Sequence, residues 1–229
     1  MSGRTANWIK RYYESDHYFH WYLRQGYFSK TQKEVDFIVS RMVQGGRVLD
    51  IGCGHGRHCI EFAKRGFEAV GIDVSKKLIA QARRTGKRLP IQFIINDARQ
   101  MNKVRGYFDL IVSLFSSFGL HSHMDNCLLI HNACVRLKHR GFLLIDVDNI
   151  HEIKKYISAT EGVYKDDDFV ERVVFNPATN IMQWEEHWRG RVYSGKHQLY
   201  TREQLSRMIE KAGLKVKQLF GSFEGEEYS

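Results

Sequence analysis

The chain has 229 residues, 43% hydrophobic and 27% charged, which suits one full hydrophobic core and is short for two. No apolar run is long enough to cross a membrane, and the opening MSGRTANWIKRYYESD has no apolar stretch of the kind a secretory signal needs. The net charge of +9 is compatible with a nucleic-acid surface, but the lysines and arginines are scattered and read as solvated surface.

The first 30 residues crowd together Trp8, Tyr12, Tyr13, Tyr18, Phe19, Trp21, Tyr22, Tyr27 and Phe28. Such a segment either closes over a cleft or packs a helix onto the domain. Thr31-Gln-Lys-Glu34 has capping-box spacing, and Val35, Ile38, Val39 and Met42 recur at helical intervals. A helix is therefore expected from Thr31, stopped by Gly45-Gly46. Apolar runs then alternate with helical segments: strands at 47–51, 67–73, 91–95, 107–115 and 142–148, and helices at about 57–65, 75–84 and 123–137. That order predicts an α/β fold with a mostly parallel central sheet and helices on both faces. After Asn149 two strands, 162–175 and 181–193, flank the turn 176–180 as an antiparallel hairpin insertion. Thr201-Arg-Glu-Gln204 is a second capping box, and LKVKQLF (214–220) reads as a last strand.

The four cysteines, Cys53, Cys59, Cys127 and Cys134, show neither CxxC nor zinc-type spacing. A reduced, cytoplasmic protein fits. His121, His123 and Asp125 within one loop are too weakly spaced to assign a metal.

The informative segment is VLDIGCGHGRHCIEFAKRGFEAVGIDVS (48–75). Gly52, Gly54 and Gly56 fall between a strand and a helix, where glycine permits positive φ and close approach of a ligand to the backbone. Asp73 ends the next strand at the same sheet edge, where a carboxylate can accept two hydrogen bonds from a ribose diol. The spacing is GxGxG rather than GxGxxG, and it follows an acid, Asp50. A carboxylate there suits an α-amino group better than a pyrophosphate, so a nucleoside with an amino-acid tail fits better than NAD.

VLDIGCGHG followed by GIDVS resembles the class I S-adenosylmethionine-dependent methyltransferase superfamily, over about residues 30–220. SLFSSFG (113–119), RLKHRGFLLIDVDN (136–149) and HQLYTREQLSRMIEKAGLKV (197–216) resemble a bacterial small-molecule branch of it. The resemblance implies a Rossmann-like fold, S-adenosylmethionine as cofactor and S-adenosylhomocysteine as product. It implies that Gly52, Cys53 and Gly54 line the methionine part of the cofactor, with Gly56 in the same turn and Asp50 near the amino group. Asp73 would bind the ribose, with Val74, Asp97 and Ala98 at the adenine. Leu114 and Phe115 would close near the sulfonium. The superfamily usually has seven strands, of which six can be counted here.

One domain, 1–229, is expected: an N-terminal lid or packing segment (1–45), a cofactor-binding core (46–149), a hairpin insertion near the acceptor (150–200) and a C-terminal helix and strand (201–229). Methyl transfer needs in-line approach and exclusion of water, and a base only if the acceptor must lose a proton. His121, as a neutral imidazole, is the candidate base. Tyr12, Tyr18, Trp21, Ser117 and His187 are candidates for the acceptor pocket, and a small molecule is the expected acceptor. The paired-proline motif of DNA amino-methylating enzymes and a Pro-Cys nucleophile are both missing. An RNA methyltransferase and a non-catalytic cofactor-binding protein stay open as alternatives, and a protruding hairpin is compatible with a homodimer.

Overall fold

The apolar runs pair side by side. In the computed structural model, which describes residues 5–42 and 44–228, β1 (Arg47–Ile51), β2 (Glu68–Asp73), β3 (Ile91–Ile95), β4 (Phe108–Ser113) and β5 (Leu137–Ile145) form a parallel sheet in the order β3-β2-β1-β4-β5. The first four residues of the expected 1–45 segment, and Ser229 of the tail, lie outside the described residues. Side chains alternate across a strand, so one face carries Val48, Ala69, Leu110 and Val112. It is covered by α3 (Tyr27–Arg41), α4 (Arg57–Lys64) and α5 (Lys76–Thr85). The other face carries Leu49, Ile51, Val70, Ile72 and Ile111, covered by α6 (His123–Cys134) and α8 (Arg202–Lys211). Both faces are covered by apolar side chains, and each fully buried aliphatic side chain contributes on the order of 1.5–3 kcal/mol.

The aromatic N-terminus folds as α1 (Thr5–Tyr13) and α2 (Asp16–Arg24), the latter capped by Ser15. The expected start of α3 at Thr31 is corrected. The helix begins at Tyr27 behind Gly26, which takes a left-handed φ of 64°. Thr31 lies inside the helix and accepts a hydrogen bond from Arg57 at 2.8 Å. Arg57 and His58 of α4 both donate to Glu34, His58 at 2.8 Å. Burial pushes His58 down to about 4, so it donates as a neutral imidazole. This knot ties α3 to the first turn of α4.

The insertion differs from the two expected strands. A helix, α7 (Ile150–Thr160), comes first, capped by Asn149. Four antiparallel strands follow: β6 (Val163–Asp166), β7 (Phe169–Asn176), β8 (Ile181–Trp188) and β9 (Arg191–Gln198). The long expected strands break at residues 167–168 and at Arg189-Gly190. The latter pair has φ of 48° and 73°, the left-handed geometry of a two-residue hairpin turn.

Two further expectations are corrected. β5 starts at Leu137 rather than 142, passing Gly141 with a register shift opposite Phe108 and Leu110. The segment 214–220 forms no strand, and β5 is an edge of the sheet. Only Leu214, Val216 and Phe220 of that segment are partly buried. The chain runs on to Phe37, against which Phe220 and Phe223 pack edge-on.

The knot and the turn before it generate two predictions. Glu34→Ala leaves the Arg57 guanidinium buried with only Thr31 and a carbonyl as partners. Urea denaturation should show a loss of about 3 kcal/mol. Gly56 sits at φ +81°, where an added Cβ would lie 2.7 Å from two ring carbons of Phe93. Gly56→Ala should therefore cost about 2–4 kcal/mol, and the cost should fall to about 1 kcal/mol when Phe93 is replaced by Leu.

Candidate active site

The parallel register delivers the ends of β1, β2, β3 and β4 to one edge of the sheet, and a single cleft of about 180 Å³ opens there. Asp50, Gly52, Cys53, Gly54 and Leu114 line it, and so do Phe115, Asp73, Val74, Asp97 and Ala98. Gly56 does not. Its left-handed conformation starts α4 and lets that helix approach Phe93 and Ala82.

Asp73 organises the floor. Its Oδ2 accepts from Gly54 N at 2.9 Å and its Oδ1 from Ser75 N at 2.8 Å. Gly52 N and Cys53 N both donate to Ile72 O, at 2.9 and 3.0 Å. The glycine turn is thus stitched to the end of β2. Burial raises the Asp73 carboxyl despite these bonds. Asp50 is 1% exposed. Among the described residues it accepts from Cys59 Sγ at 3.5 Å and makes no ion pair. Burial pushes it up to about 7.

Asp97 has two roles at once. It lines the cleft, and it caps the 3₁₀ turn Ala98–Lys103 while gripping Arg99 at 2.6 Å. Burial opposes its ionisation, but Arg99 prevails and holds it below the usual carboxylate range. His121 lines the same side, in the field of Arg99, Asp97 and Asp125. Burial lowers its pKa, and its Nδ1 is buried without a partner.

The N-terminal helices supply the opposite wall through Ile9, Lys10, Tyr13, Tyr18 and Tyr22. The same rings form a packed cluster with Leu78, Phe115 and Trp184, so packing and covering coexist. Among the acceptor candidates, Tyr18 and Ser117 line the cleft, whereas Tyr12, Trp21 and His187 do not. Tyr12 points to the second sheet and donates to Glu186 at 3.1 Å. Trp21 packs on Tyr27. His187 faces solvent beside Glu185 at 2.7 Å. The cause is parity: along β8, Met182, Glu186 and Trp188 are buried and Gln183, Glu185 and His187 are exposed.

Sequence reasoning passed over Glu186 for that reason. Asp148 and His197, 3.1 Å apart across 49 residues, form a second pair. The strand parity of β8 was the one signal that could have found Glu186. No local pattern announces the second pair.

Residues 20–219 match a family described as "Methyltransferase domain". Among relatives, the methyltransferase-type protein YqeM of Bacillus subtilis is 29% identical over 134 residues, covering 58% of this chain and 54% of that protein. The glycine/sarcosine/dimethylglycine N-methyltransferase of Actinopolyspora halophila is 31% identical over 157 residues, covering 61% and 28%. The chain thus spans about half or less of the length of these relatives. Among solved structures, an S-adenosylmethionine-dependent methyltransferase from Clostridium acetobutylicum superposes with a TM-score of 0.73 at 15% identity, covering 87% of each chain. The chain belongs to the methyltransferase-domain family.

Proposed function

We propose that the chain transfers a methyl group from S-adenosylmethionine to the nitrogen of a small amine. The observation that carries the reading is Asp50, a buried carboxyl at the floor of the cleft with no ion-pair partner among the described residues. A cationic amino group is what such a carboxyl lacks, and a pyrophosphate there would be repelled. Asp73 would take the ribose hydroxyls with lone pairs not used by Gly54 and Ser75. Asp97 and Ala98 are assigned to the nucleobase end, which puts His121 at that end too. When bound, the cofactor supplies a methyl group already activated by its sulfonium. The residues of the chain then bind, align and exclude water. Tyr13, Tyr18, Tyr22 and Phe115 give the cleft aromatic walls, which favour a cation.

An amine acceptor is favoured by four acids that lie outside the lining of the cleft but act on its aromatic wall. Asp146, Asp148, Glu171 and Glu186 all come from the end of β5 or from the second sheet. Tyr13 lies in the field of Asp73, Asp148 and Glu186 together, and Tyr27 in that of Asp148 and Glu171. Acids in these positions favour a cationic acceptor over a phosphate backbone, so a small amine is preferred to RNA. The Actinopolyspora halophila relative is itself named an N-methyltransferase.

Calorimetry with S-adenosylmethionine, S-adenosylhomocysteine and NAD, followed by turnover of labelled cofactor with glycine, sarcosine and amino sugars, tests the reading. Binding of NAD in preference to the other two would sink it. Asp73→Ala should weaken S-adenosylhomocysteine by about 30-fold, the loss of a charge-assisted hydrogen bond of roughly 2 kcal/mol. An unchanged Kd would remove Asp73 from the site.

Asp50 makes the affinity pH-dependent. Below about 7 the empty cleft holds the protonated carboxyl, and a bound ammonium requires it to ionise. Affinity for S-adenosylhomocysteine should therefore rise by about tenfold between pH 5.5 and 7.5. Asp50→Asn should flatten that slope. A slope that survives the substitution would assign it to another group.

A further inference from the structure

Behind Phe115 the chain does something costly. Phe115 and Ser116 are consecutive non-glycine residues with left-handed φ of 56° and 51°, a conformation that persists only where the surroundings enforce it. The turn aims two groups at the end of β5. Phe115 N donates to Asp146 at 2.7 Å, and Ser116 Oγ donates to Asp148 Oδ1 at 2.8 Å. On the other side, Ser117 Oγ contacts Gly52 O at 3.4 Å. Three successive residues thus connect the glycine turn to the two carboxylates.

Asp148 is held from its second side by His197. The His197 Nδ1 lies 3.1 Å from Asp148 Oδ2. The His197 side chain is 9% exposed, and its Nε2 is buried without a partner. An ionised carboxylate can only accept, so Nδ1 carries the hydrogen of this bond. Both oxygens of Asp148 therefore have a fixed donor, while the side chain keeps 31% of its surface open. Asp148 is not itself among the residues that line the cleft, but Phe115 and Ser117, on either side of its Ser116 donor, are, and a carboxylate oriented on both sides and still reachable beside that wall is built to meet something else.

We propose that Asp148 receives the acceptor nitrogen beside the cofactor's methyl group, and that His197 and Ser116 are positioning residues that aim it. The proposal rests on the amine reading above. The amine reaches the site neutral, having left its proton in water. Its lone pair forms the new N–C bond as the S–C bond breaks, and that electron pair stays on sulfur. Positive charge thereby moves from sulfur to nitrogen, and the methylated ammonium then releases a proton to water. A fixed anion at the nitrogen stabilises the charge where it develops, which lowers the barrier rather than merely tightening binding. Burial opposes ionisation of Asp148, but His197 and Ser116 hold it below the usual carboxylate range. Burial pushes its neighbour Asp146, which accepts from Phe115 N, up to about 6.

The test needs no knowledge of the acceptor. Sinefungin carries a primary ammonium where the cofactor has its sulfonium methyl, and S-adenosylhomocysteine carries nothing there. Calorimetry on the full chain compares the two. Asp148→Asn should weaken sinefungin by at least about fivefold, a change of roughly 1 kcal/mol, and S-adenosylhomocysteine by less than twofold. His197→Ala should weaken sinefungin in the same selective way. His197→Asn, whose amide can keep a donor near the Nδ1 position, should recover most of the loss. That pair carries the test alone if Asp148→Asn does not fold. Equal weakening of both ligands, or of neither, overturns the proposal and leaves the methyl-transfer reading standing. Failure of the wild-type chain to bind either ligand overturns both.

Discussion

Parallel strands whose exits share one edge concentrate acids there, and the molecule is organised around keeping those acids apart in character. Asp50, Asp73, Asp97, Asp146 and Asp148 all lie at or near the ends of β1, β2, β3 and β5. In a site sheltered from water, identical carboxylates would repel one another and could not all ionise. Each is handled differently. Asp73 takes two backbone N–H groups, Asp97 takes a guanidinium, and Asp148 takes an imidazole and a hydroxyl. Among the described residues Asp50 takes a thiol and Asp146 the N–H of Phe115. The well-supplied Asp97 and Asp148 stay charged, while Asp50 and Asp146 are pushed up to about 7 and about 6. A site whose acids are held in this way has a defined preference for cations.

The second sheet repeats the theme on its inner face. Glu171 and Glu186 stand directly opposite in register, a pairing that destabilises a sheet when both are ionised. Tyr12 and His17 hold Glu186, His17 at 2.6 Å, while burial and the neighbouring charge push Glu171 up to about 7. The aromatic helices therefore do more than cover apolar surface. Their polar tips satisfy the one carboxylate of the pair that is 3% exposed, and this joins α1 and α2 to the insertion.

Much of the parallel core was legible. RVLDI and IQFII are strands with the expected bounds, and Ser75 and Thr201 cap helices as their spacing implied. These signals are local: a strand buried on both faces needs a short apolar run, and a cap needs one side chain in register. What was not legible depended on competition. Thr31 has the sequence of a cap, yet α3 extends past it because Arg57 draws its hydroxyl inward and Gly26 offers an earlier start. Residues 214–220 have the alternation of a strand, yet Phe220 and Phe223 gain more by packing on Phe37.

The amino-acid sequence by itself determined the glycine turn, the acid that ends β2 and the order of strand and helix. Those three depend on neighbours within about twenty residues and on rules of backbone geometry. Tertiary structure alone decided which residues face the acceptor side. A strand shows its neighbours on opposite faces, so a single step of parity exchanged His187 for Glu186. Only folding could set His197 against Asp148, because a hydrogen bond spanning 49 residues has no signature in either segment.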